Sequence, residues 1–179
     1  MKILRSENLT EQIIGLTLIV AGVASRLLPH AENFTPVMAV AFFGGVVLSP
    51  GIALTIPLIV MIVSDILIGP HDLFFVTWGS FFIISLFGFM VGKNPKWNRV
   101  LLGTLGGSLF YFFTTNLAVF VFQSMYPKTW SGLVECFMMA IPFFRNSLLS
   151  DLAYTALLFG LFFMAKSFST RFISPQKTV

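Results

Sequence analysis

Six polar or charged side chains fall near one end of the apolar segments of this chain. They are Arg26, Asn33, Asp65, Asn116, Arg145 and Asp151. A charged or amide group next to hydrocarbon is costly unless it is paired or faces a water-filled cavity. We therefore expect these residues to line a binding site for a small organic molecule. The two arginines would bind an anionic group, the two asparagines would orient the ligand by hydrogen bonds, and Asp65 would hold an arginine or a cationic group of the ligand.

These residues also have structural interpretations. Arg26 is the natural counter-ion of Asp65, and an ion pair between the first and third apolar segments is an equal alternative to ligand binding. Asp151 has a candidate partner in Arg145, but its serine- and asparagine-rich surroundings favour capping of a helix N-terminus. Asn116 is expected to hydrogen-bond either another helix or a ligand.

Side chains suited to covalent or metal chemistry are few. Cys136 is the single cysteine, which excludes an intrachain disulfide and a cysteine-built metal cluster. We favour a role for this thiol as a small buried hydrophobe, and the alternative is a soft ligand to the metal of a cofactor. The chain has no nucleotide-binding glycine loop, nucleophile elbow or zinc-protease motif. We therefore predict no enzyme, no catalytic residues and no metal site.

The composition indicates that a membrane surrounds these residues. Of 179 residues, 56% are hydrophobic and 10% are charged, and the mean hydropathy is +0.90. A soluble domain of this length cannot bury so much apolar surface. We predict an all-α polytopic membrane bundle of six transmembrane helices in a single domain, residues 1–179. The apolar segments are Gln12–Leu28, Phe34–Leu48, Gly51–Ile68, Leu73–Gly92, Val100–Phe122 and Ser147–Lys166.

The cations are divided unequally between the two ends of these segments. With six spans, eight of the eleven would flank the inner ends, namely Lys2, Arg5, Lys93, Lys96, Arg99, Lys166, Arg171 and Lys177. The positive-inside rule then places both termini in the cytoplasm and the six polar residues toward the outer face. Anionic lipid accounts for the net charge of +4, so no nucleic-acid partner is expected.

Two segments differ from a plain transmembrane span. Phe34–Leu48 would rise only about 22 Å against a hydrocarbon core of about 30 Å, and Asn33 is predicted to cap it. Between the fifth and sixth spans, Tyr126–Asn146 is predicted to be a short interfacial helix or a re-entrant segment. This segment would act as a lid over the bundle, or else remain static. Its predicted hinges are Pro127, Gly132 and Pro142, and its predicted covering face is Leu133, Phe137, Met138 and Ile141.

Small residues recur at helical intervals of four. In the first span, Thr17, Ala21 and Ser25 form a stripe that we predict to be a docking face for another helix. Pairs in the later spans are predicted to serve packing within the chain. These pairs are Gly88 with Gly92, Gly103 with Gly107, and Ala156 with Gly160.

Several short strings resemble one known family. They include Arg26-Leu-Leu-Pro-His30, Asn33-Phe-Thr-Pro-Val37, Phe43-Gly-Gly45, Ser64-Asp65, Thr115-Asn116, Tyr126-Pro-Lys-Thr129 and Ile141-Pro-Phe-Phe-Arg-Asn146, with Asp151 after them. By these strings the chain resembles an uncharacterised bacterial six-span membrane family. That family is grouped with the substrate-binding S components of energy-coupling-factor (ECF) vitamin transporters.

The resemblance implies a subunit of the bacterial cytoplasmic membrane that captures a nutrient or vitamin from the outer side. Besides the lipid bilayer and this substrate, it implies an ECF transmembrane coupling subunit and two ATPases as partners, docked on the first helix. It also raises cobalamin as a ligand, with Cys136 on its cobalt. The competing hypothesis is a structural or assembly protein of the membrane, whose polar residues satisfy one another and leave no cavity.

Overall fold

Glycine and proline residues mark several boundaries between the helices. Pro50 begins one helix, where its missing N–H costs nothing. Gly69 ends that same helix and Gly92 ends the next, with φ angles of 121° and 82°. The computed structural model describes the backbone of residues 2–173 and the side chains of residues 9–168. Within these ranges the elements, all helices, are α1 (Lys2–Leu27), α2 (Val37–Val47), α3 (Pro50–Ile68), α4 (Phe74–Val91), α5 (Trp97–Phe122) and α6 (Trp130–Ile173). The protein is all-α, as predicted.

α2 lies at the centre of the bundle and is too short to span a membrane. Its 11 residues rise about 16 Å, against about 30 Å of hydrocarbon. Residues Val37–Val46 are all buried, and the helix contacts α3, α4, α5 and α6. The prediction of six transmembrane helices is therefore wrong at α2. Five helices in the described chain are long and apolar enough to cross a membrane, which indicates a membrane protein.

α2 and α4 approach each other closely at a pair of glycines. A Cβ atom on Gly88 would lie 2.5 Å from the carbonyl oxygen of Phe42. A Cβ atom on Gly45 would overlap the carbonyl group of Ser85. Because neither position has room for a side chain, the two helix backbones pack directly against each other.

Two glycines of α5 also accommodate side chains of α2. A Cβ atom on Gly103 would overlap the ring of Phe42, and one on Gly107 would lie 3.2 Å from Met38 Sδ. The predicted packing role is thus confirmed for Gly88, Gly103 and Gly107. The predicted packing role is wrong for Gly92 and Gly160, because a Cβ atom on either would meet nothing within 4 Å.

Polar side chains hold the connecting turns at one end of the bundle. The Lys93 ammonium donates to two carbonyl oxygens at the C-terminal end of α2, at 3.0 and 2.8 Å. Glu11 Oε2 accepts a hydrogen bond from the backbone N–H of Ser49 at 3.0 Å, where α3 begins. Lys166 Nζ donates to Asn94 Oδ1 at 2.7 Å. Glu11 and Lys166 therefore lie at the same end of the bundle.

The loop over residues 28–36 begins at the opposite end and passes into the bundle. Asn146 Nδ2 donates to the Glu32 carbonyl at 3.2 Å, and Ser150 Oγ donates to the Thr35 carbonyl at 2.8 Å. The loop and α2 together return the chain to the end at which α3 begins. α2 alone is too short to make that traverse, so the loop supplies part of it.

The charges separate between the two ends of the bundle, as the sequence predicts. Lys93 and Lys166 lie at the end just described, and Lys96 and Arg99 follow Lys93 in the chain. Arg26 is in the last turn of α1, at the other end. The side chains of Lys2, Arg5 and Arg171, and the whole of Lys177, lie outside the described residues.

α6 extends from Trp130 to Ile173 with Pro142 inside it. The prediction of a separate interfacial helix or re-entrant segment before the sixth span is therefore wrong, because most of that segment forms the beginning of α6. The helix runs antiparallel to α5: Cys136 Sγ lies 3.5 Å from the carbonyl oxygen of Asn116 near the end of α5, and the ring of Phe163 packs on Trp97 at its start. A proline removes a single helical N–H, and a helix packed among others in a membrane tolerates this loss.

The face that this first part of α6 buries also differs from the prediction. Met138 and Ile141 are 60% and 49% exposed. The buried residues are instead Gly132, Cys136 and Ala140, which recur at intervals of four. Of these, Gly132 lies against Pro127 in the preceding loop and Cys136 lies against Asn116 of α5.

α1 packs one face on α3 and leaves the opposite face exposed. Gly22 is buried, and a Cβ atom there would lie 2.9 Å from the side chain of Val60. In the predicted docking stripe, Thr17 and Ala21 are exposed, and Ser25 Oγ donates to the Gly22 carbonyl at 2.8 Å. The stripe is thus adjacent to the packed face and is not part of it.

Candidate ligand-binding site

The carboxylate of Asp65 joins three helices. Arg26 Nη2 of α1 lies 2.6 Å from its Oδ1, and Trp78 Nε1 of α4 donates to its Oδ2 at 2.8 Å. His71 Nε2 is 3.6 Å from the same Oδ2 atom, and the remaining Arg26 amino group lies 3.3 Å from Met61 Sδ. The predicted ion pair between the first and third segments is confirmed. The charge of Asp65 is therefore compensated within the protein.

A cavity of about 280 Å³, here called the polar cavity, includes Arg26 in its wall. Its lining residues are Arg26, His30, Asn33, Thr35, Met38, Ile68, Phe81, Tyr111, Ser147 and Asp151. Three of the six predicted site residues, Arg26, Asn33 and Asp151, thus meet at one cavity although they lie on different elements.

A second cavity of about 630 Å³, here called the aromatic cavity, lies between α5 and the N-terminal half of α6. It is lined by Glu32, Asn33, Ser108, Tyr111, Phe112, Thr115, Asn116, Val119, Ala140, Phe143, Phe144 and Ser147. Asn33, Tyr111 and Ser147 line both cavities, so the two adjoin. Asn116 is the fourth predicted site residue that the fold brings to this place.

Asp151 lies in the interior of α6 and is 5% exposed. Its Oδ2 accepts a hydrogen bond from Ser108 Oγ of α5 at 2.7 Å. The favoured prediction, that Asp151 caps a helix N-terminus, is wrong because α6 begins 21 residues earlier, at Trp130. The carboxylate is instead part of the wall of the polar cavity.

Arg145 does not take part in the site. Its side chain is exposed and is absent from the walls of both cavities. It makes no ion pair with Asp151 among the described side chains, because six residues along an α-helix turn a side chain through about 600° and place it on another face. The fold therefore does not bring Arg145 together with the other predicted site residues at these cavities.

Asn33 holds an unusual backbone conformation at the junction of the two cavities. Its φ angle is +59°, in the left-handed region that asparagine tolerates better than most residues. The residue does not cap α2, since that helix begins at Val37 and no side chain caps it. The prediction of a capping role is therefore wrong, and the loop geometry brings Asn33 to both cavities.

The side-chain amide of Asn116 makes its hydrogen bond within α5. Its Nδ2 donates to the carbonyl oxygen of Phe112, one turn earlier, at 2.7 Å. The expectation of a hydrogen bond to another helix is wrong for this donor. The side chain lines the aromatic cavity, where it is available to a ligand.

Cys136 is 2% exposed and lies against the carbonyl oxygen of Asn116. This agrees with the favoured role as a small buried hydrophobe. The thiol is absent from the walls of both cavities. No group of three or more histidine, cysteine or acidic side chains within the described residues is placed to hold a metal ion.

Tyr111 is the main residue that sequence reasoning missed. Its ring stacks on Phe81 at 4.8 Å between centroids, with an interplanar angle of 18°, and it lines both cavities. The residue is hidden in a phenylalanine-rich string over 110–113. Its one signal is a hydroxyl group on a ring in the middle of an apolar helix, where such groups usually meet a polar partner.

Comparison with known proteins places the chain in a family. A family model described as a family of unknown function (DUF6580) matches residues 6–173. The chain belongs to this family. No curated protein and no solved structure matches the chain. The matched range includes every residue that lines the two cavities.

Proposed function

We propose that this protein is the substrate-binding membrane subunit of an uptake system and takes a small organic nutrient or vitamin from the outer side. Its role would be similar to that of the S components of ECF transporters. The observation that supports this proposal is the pair of adjoining cavities of about 280 and 630 Å³. Ligand sites are typically concave, several hundred Å³ in size, and lined by aromatic side chains with a few convergent polar groups.

The proposed membrane is the bacterial cytoplasmic membrane, with both termini in the cytoplasm. In its support, Lys93 and Lys166 lie at the end of the bundle opposite to Arg26. Cations concentrate on the cytoplasmic side of membrane proteins. This orientation opens the cavities toward the outer side, where a nutrient arrives.

The proposed partners are a transmembrane coupling subunit and its ATPases. The exposed face of α1, with Thr17 and Ala21 uncovered, favours this face as the docking surface. Small residues allow another helix to approach closely within a bilayer.

The alternative is a structural membrane protein without a small-molecule substrate. The pair of Arg26 with Asp65 favours it, because the two charges already compensate each other, although Arg26 Nε is buried without a hydrogen-bond partner among the described residues. The cavities favour ligand binding over this alternative, and so does Asp151, which has no cation within ion-pair distance among the side chains that the structure describes.

Binding without catalysis is the proposed activity, and cobalamin is not our preferred ligand. The thiol of Cys136 is buried against α5, away from the cavity walls. A ligand in either cavity would therefore not meet this thiolate.

A thermal-shift screen of the purified protein in detergent against vitamins and their precursors tests the proposal. A ligand is expected to raise the unfolding temperature in a concentration-dependent way, because it binds the folded state alone. A monodisperse protein that no compound stabilises would contradict the proposal and favour the structural alternative.

A pair of variants ties such a shift to the cavities. Ser147→Phe places a ring in the wall that both cavities share and should abolish the shift. Ala153→Phe adds the same ring at an exposed position of the same helix and should preserve it. An equal effect of both substitutions would place the ligand elsewhere.

A further inference from the structure

The charges on the walls of the polar cavity are not balanced. Arg26 has its countercharge in Asp65, 2.6 Å away. Asp151 is 5% exposed and has no cation within ion-pair distance among the described side chains. Its hydrogen-bond donor is the neutral hydroxyl of Ser108. A buried carboxylate without a cation is costly, so this site favours an incoming positive charge.

The other ionisable groups on the walls make no ion pair with Asp151 among the described side chains. His30 lines the polar cavity, but its side chain is exposed and its Nδ1 lies 2.8 Å from the carbonyl oxygen of Ala31. Glu32 adds a second acid, in the wall of the aromatic cavity. Among the described side chains, the walls therefore carry two acids without an ion pair, the buried Asp151 and the exposed Glu32, and one arginine that is already paired.

Aromatic rings complete a setting suited to a cation. Phe81 and Tyr111 stack on each other and line the same cavity as Asp151. The faces of aromatic rings attract ammonium groups, and a carboxylate among such rings is a common arrangement for binding amines. Phe112, Phe143 and Phe144 extend this aromatic surface into the adjoining cavity.

The sizes of the cavities distinguish an organic cation from a bare ion. A metal ion needs several oxygen ligands within about 2.0–2.6 Å, whereas these cavities measure about 280 and 630 Å³. A space of this size next to aromatic rings accommodates the apolar body of an organic molecule.

We infer that the ligand carries a protonated amine or ammonium group that binds Asp151, with its apolar or ring portion in the aromatic cavity. This inference rests on the proposed function and specifies the class of its substrate. Arg26 already has its countercharge in Asp65, so the inference does not require an anionic group on the ligand.

Probes matched in shape but different in charge test this inference. The first set is benzylamine, benzyl alcohol and benzoate, and the second is tryptamine, tryptophol and indole-3-acetate. Binding to the purified protein is measured at pH 7 by saturation-transfer NMR and thermal shift. The amine of each set is expected to bind at least about tenfold more tightly than its neutral and anionic counterparts, as is usual for a charge-assisted contact.

Two acid-to-amide variants locate the site of the charge. Asp151→Asn keeps the shape of the side chain and should lower amine affinity about tenfold or more, with alcohol binding unchanged. Asp72→Asn removes an exposed acid outside the cavity walls and should change neither. The comparison among probes uses the natural protein, and so it stands even if Asp151→Asn folds poorly.

The outcomes separate this inference from the proposed function. Equal or tighter binding of the alcohols or acids, or amine binding that Asp151→Asn leaves unchanged, overturns the inference and leaves the uptake function standing. Stabilisation by sodium chloride but not choline chloride, lost in Asp151→Asn, also overturns it by assigning Asp151 to an inorganic ion. If neither the probes nor the nutrient screen yields a ligand, both proposals fail.

Discussion

At the scale of single residues, Asp65 fixes the relative positions of three helices through Arg26 and Trp78. A buried ion pair contributes little net stability compared with apolar residues of the same shape. Removal of one member of the pair nevertheless lowers the stability strongly, because the other member remains as an uncompensated charge. The pair therefore selects one arrangement of α1, α3 and α4 at the cavity.

We predict that Asp65→Asn destabilises the protein by about 1–3 kcal/mol, because the half-buried Arg26 loses its counter-ion. Thermal unfolding in detergent measures this loss. Asp72→Asn, an exposed acid nearby in the sequence, is the control and should change the stability by less than about 0.5 kcal/mol. Replacement of both partners by methionine should cost less than Asp65→Asn alone, and a cost equal to or above it would contradict this account.

The sequence predicts the Arg26–Asp65 pair because each is an isolated charge at the same end of an apolar helix. The surroundings of Asp151 are not predictable in the same way. Its partner Ser108 is 43 residues away, and a serine in an apolar helix is too common to indicate one. Asn146 and Ser147, which precede it, are residue types typical of a helix N-terminus, but both lie inside α6. Asn146 donates a hydrogen bond to the loop before α2, and Ser147 lines the polar cavity.

At the scale of elements, α2 is a central helix whose neighbours are all protein. Its apolar composition indicates burial, but composition alone does not distinguish burial in lipid from burial among helices. The distinction rests on its 11-residue length and on its glycines. Gly45 and Gly88 bring the backbones of α2 and α4 into contact. This contact restricts the position of the loop that precedes α2 and lines the cavities.

We predict that Gly88→Ala destabilises the protein by at least about 1–3 kcal/mol, because the new methyl group would meet the backbone of Phe42 at 2.5 Å. Gly79→Ala on the same helix is the matched control, since its Cβ atom would meet nothing within 4 Å. Alanine there should be neutral or slightly stabilising because it favours helix more than glycine does. Unfolding in detergent compares the two variants, and equal stabilities would refute close contact at Gly88.

α6 illustrates a second limit of sequence reasoning at this scale. Pro142 and the charge of Arg145 suggest a boundary, yet the helix continues through both. Before Pro142, Ala140 lines the aromatic cavity, and Phe143 and Phe144 line it directly after the proline, whereas none of the four residues predicted to cover the bundle does so. Whether that wall moves is a separate prediction.

We predict that the part of α6 before Pro142 shifts when a ligand binds, because the proline weakens the helix beside the cavity. Spin labels at Ser131 and Asp72, in a Cys136→Ser background, should change their separation by a few ångströms when the ligand from the screen is added. Labels at Thr55 and Asn98, which are exposed toward the other end, should not. An unchanged distance distribution at saturating ligand would make the segment a fixed wall.

At the scale of the whole molecule, the number of long apolar helices and the path of the chain indicate different topologies. Five helices are long enough to cross a membrane, and five crossings would place the termini on opposite sides. The hydrogen bonds of Lys93 and Glu11 instead bring the end of α2 back to the end where α1 starts. The short helix and its loop thus complete a sixth traverse that neither makes alone.

We therefore predict that both termini lie in the cytoplasm, with an even number of traverses. A fluorescent protein fused after Val179 should fluoresce, and alkaline phosphatase fused there should be inactive. Phosphatase fused within the loop at Pro70 should be active, and within the loop at Asn94 inactive, because these loops lie at opposite ends of the bundle. An active phosphatase at the C-terminus would mean that α2 does not return the chain, and the cavities would then open toward a different side from the one an uptake protein requires.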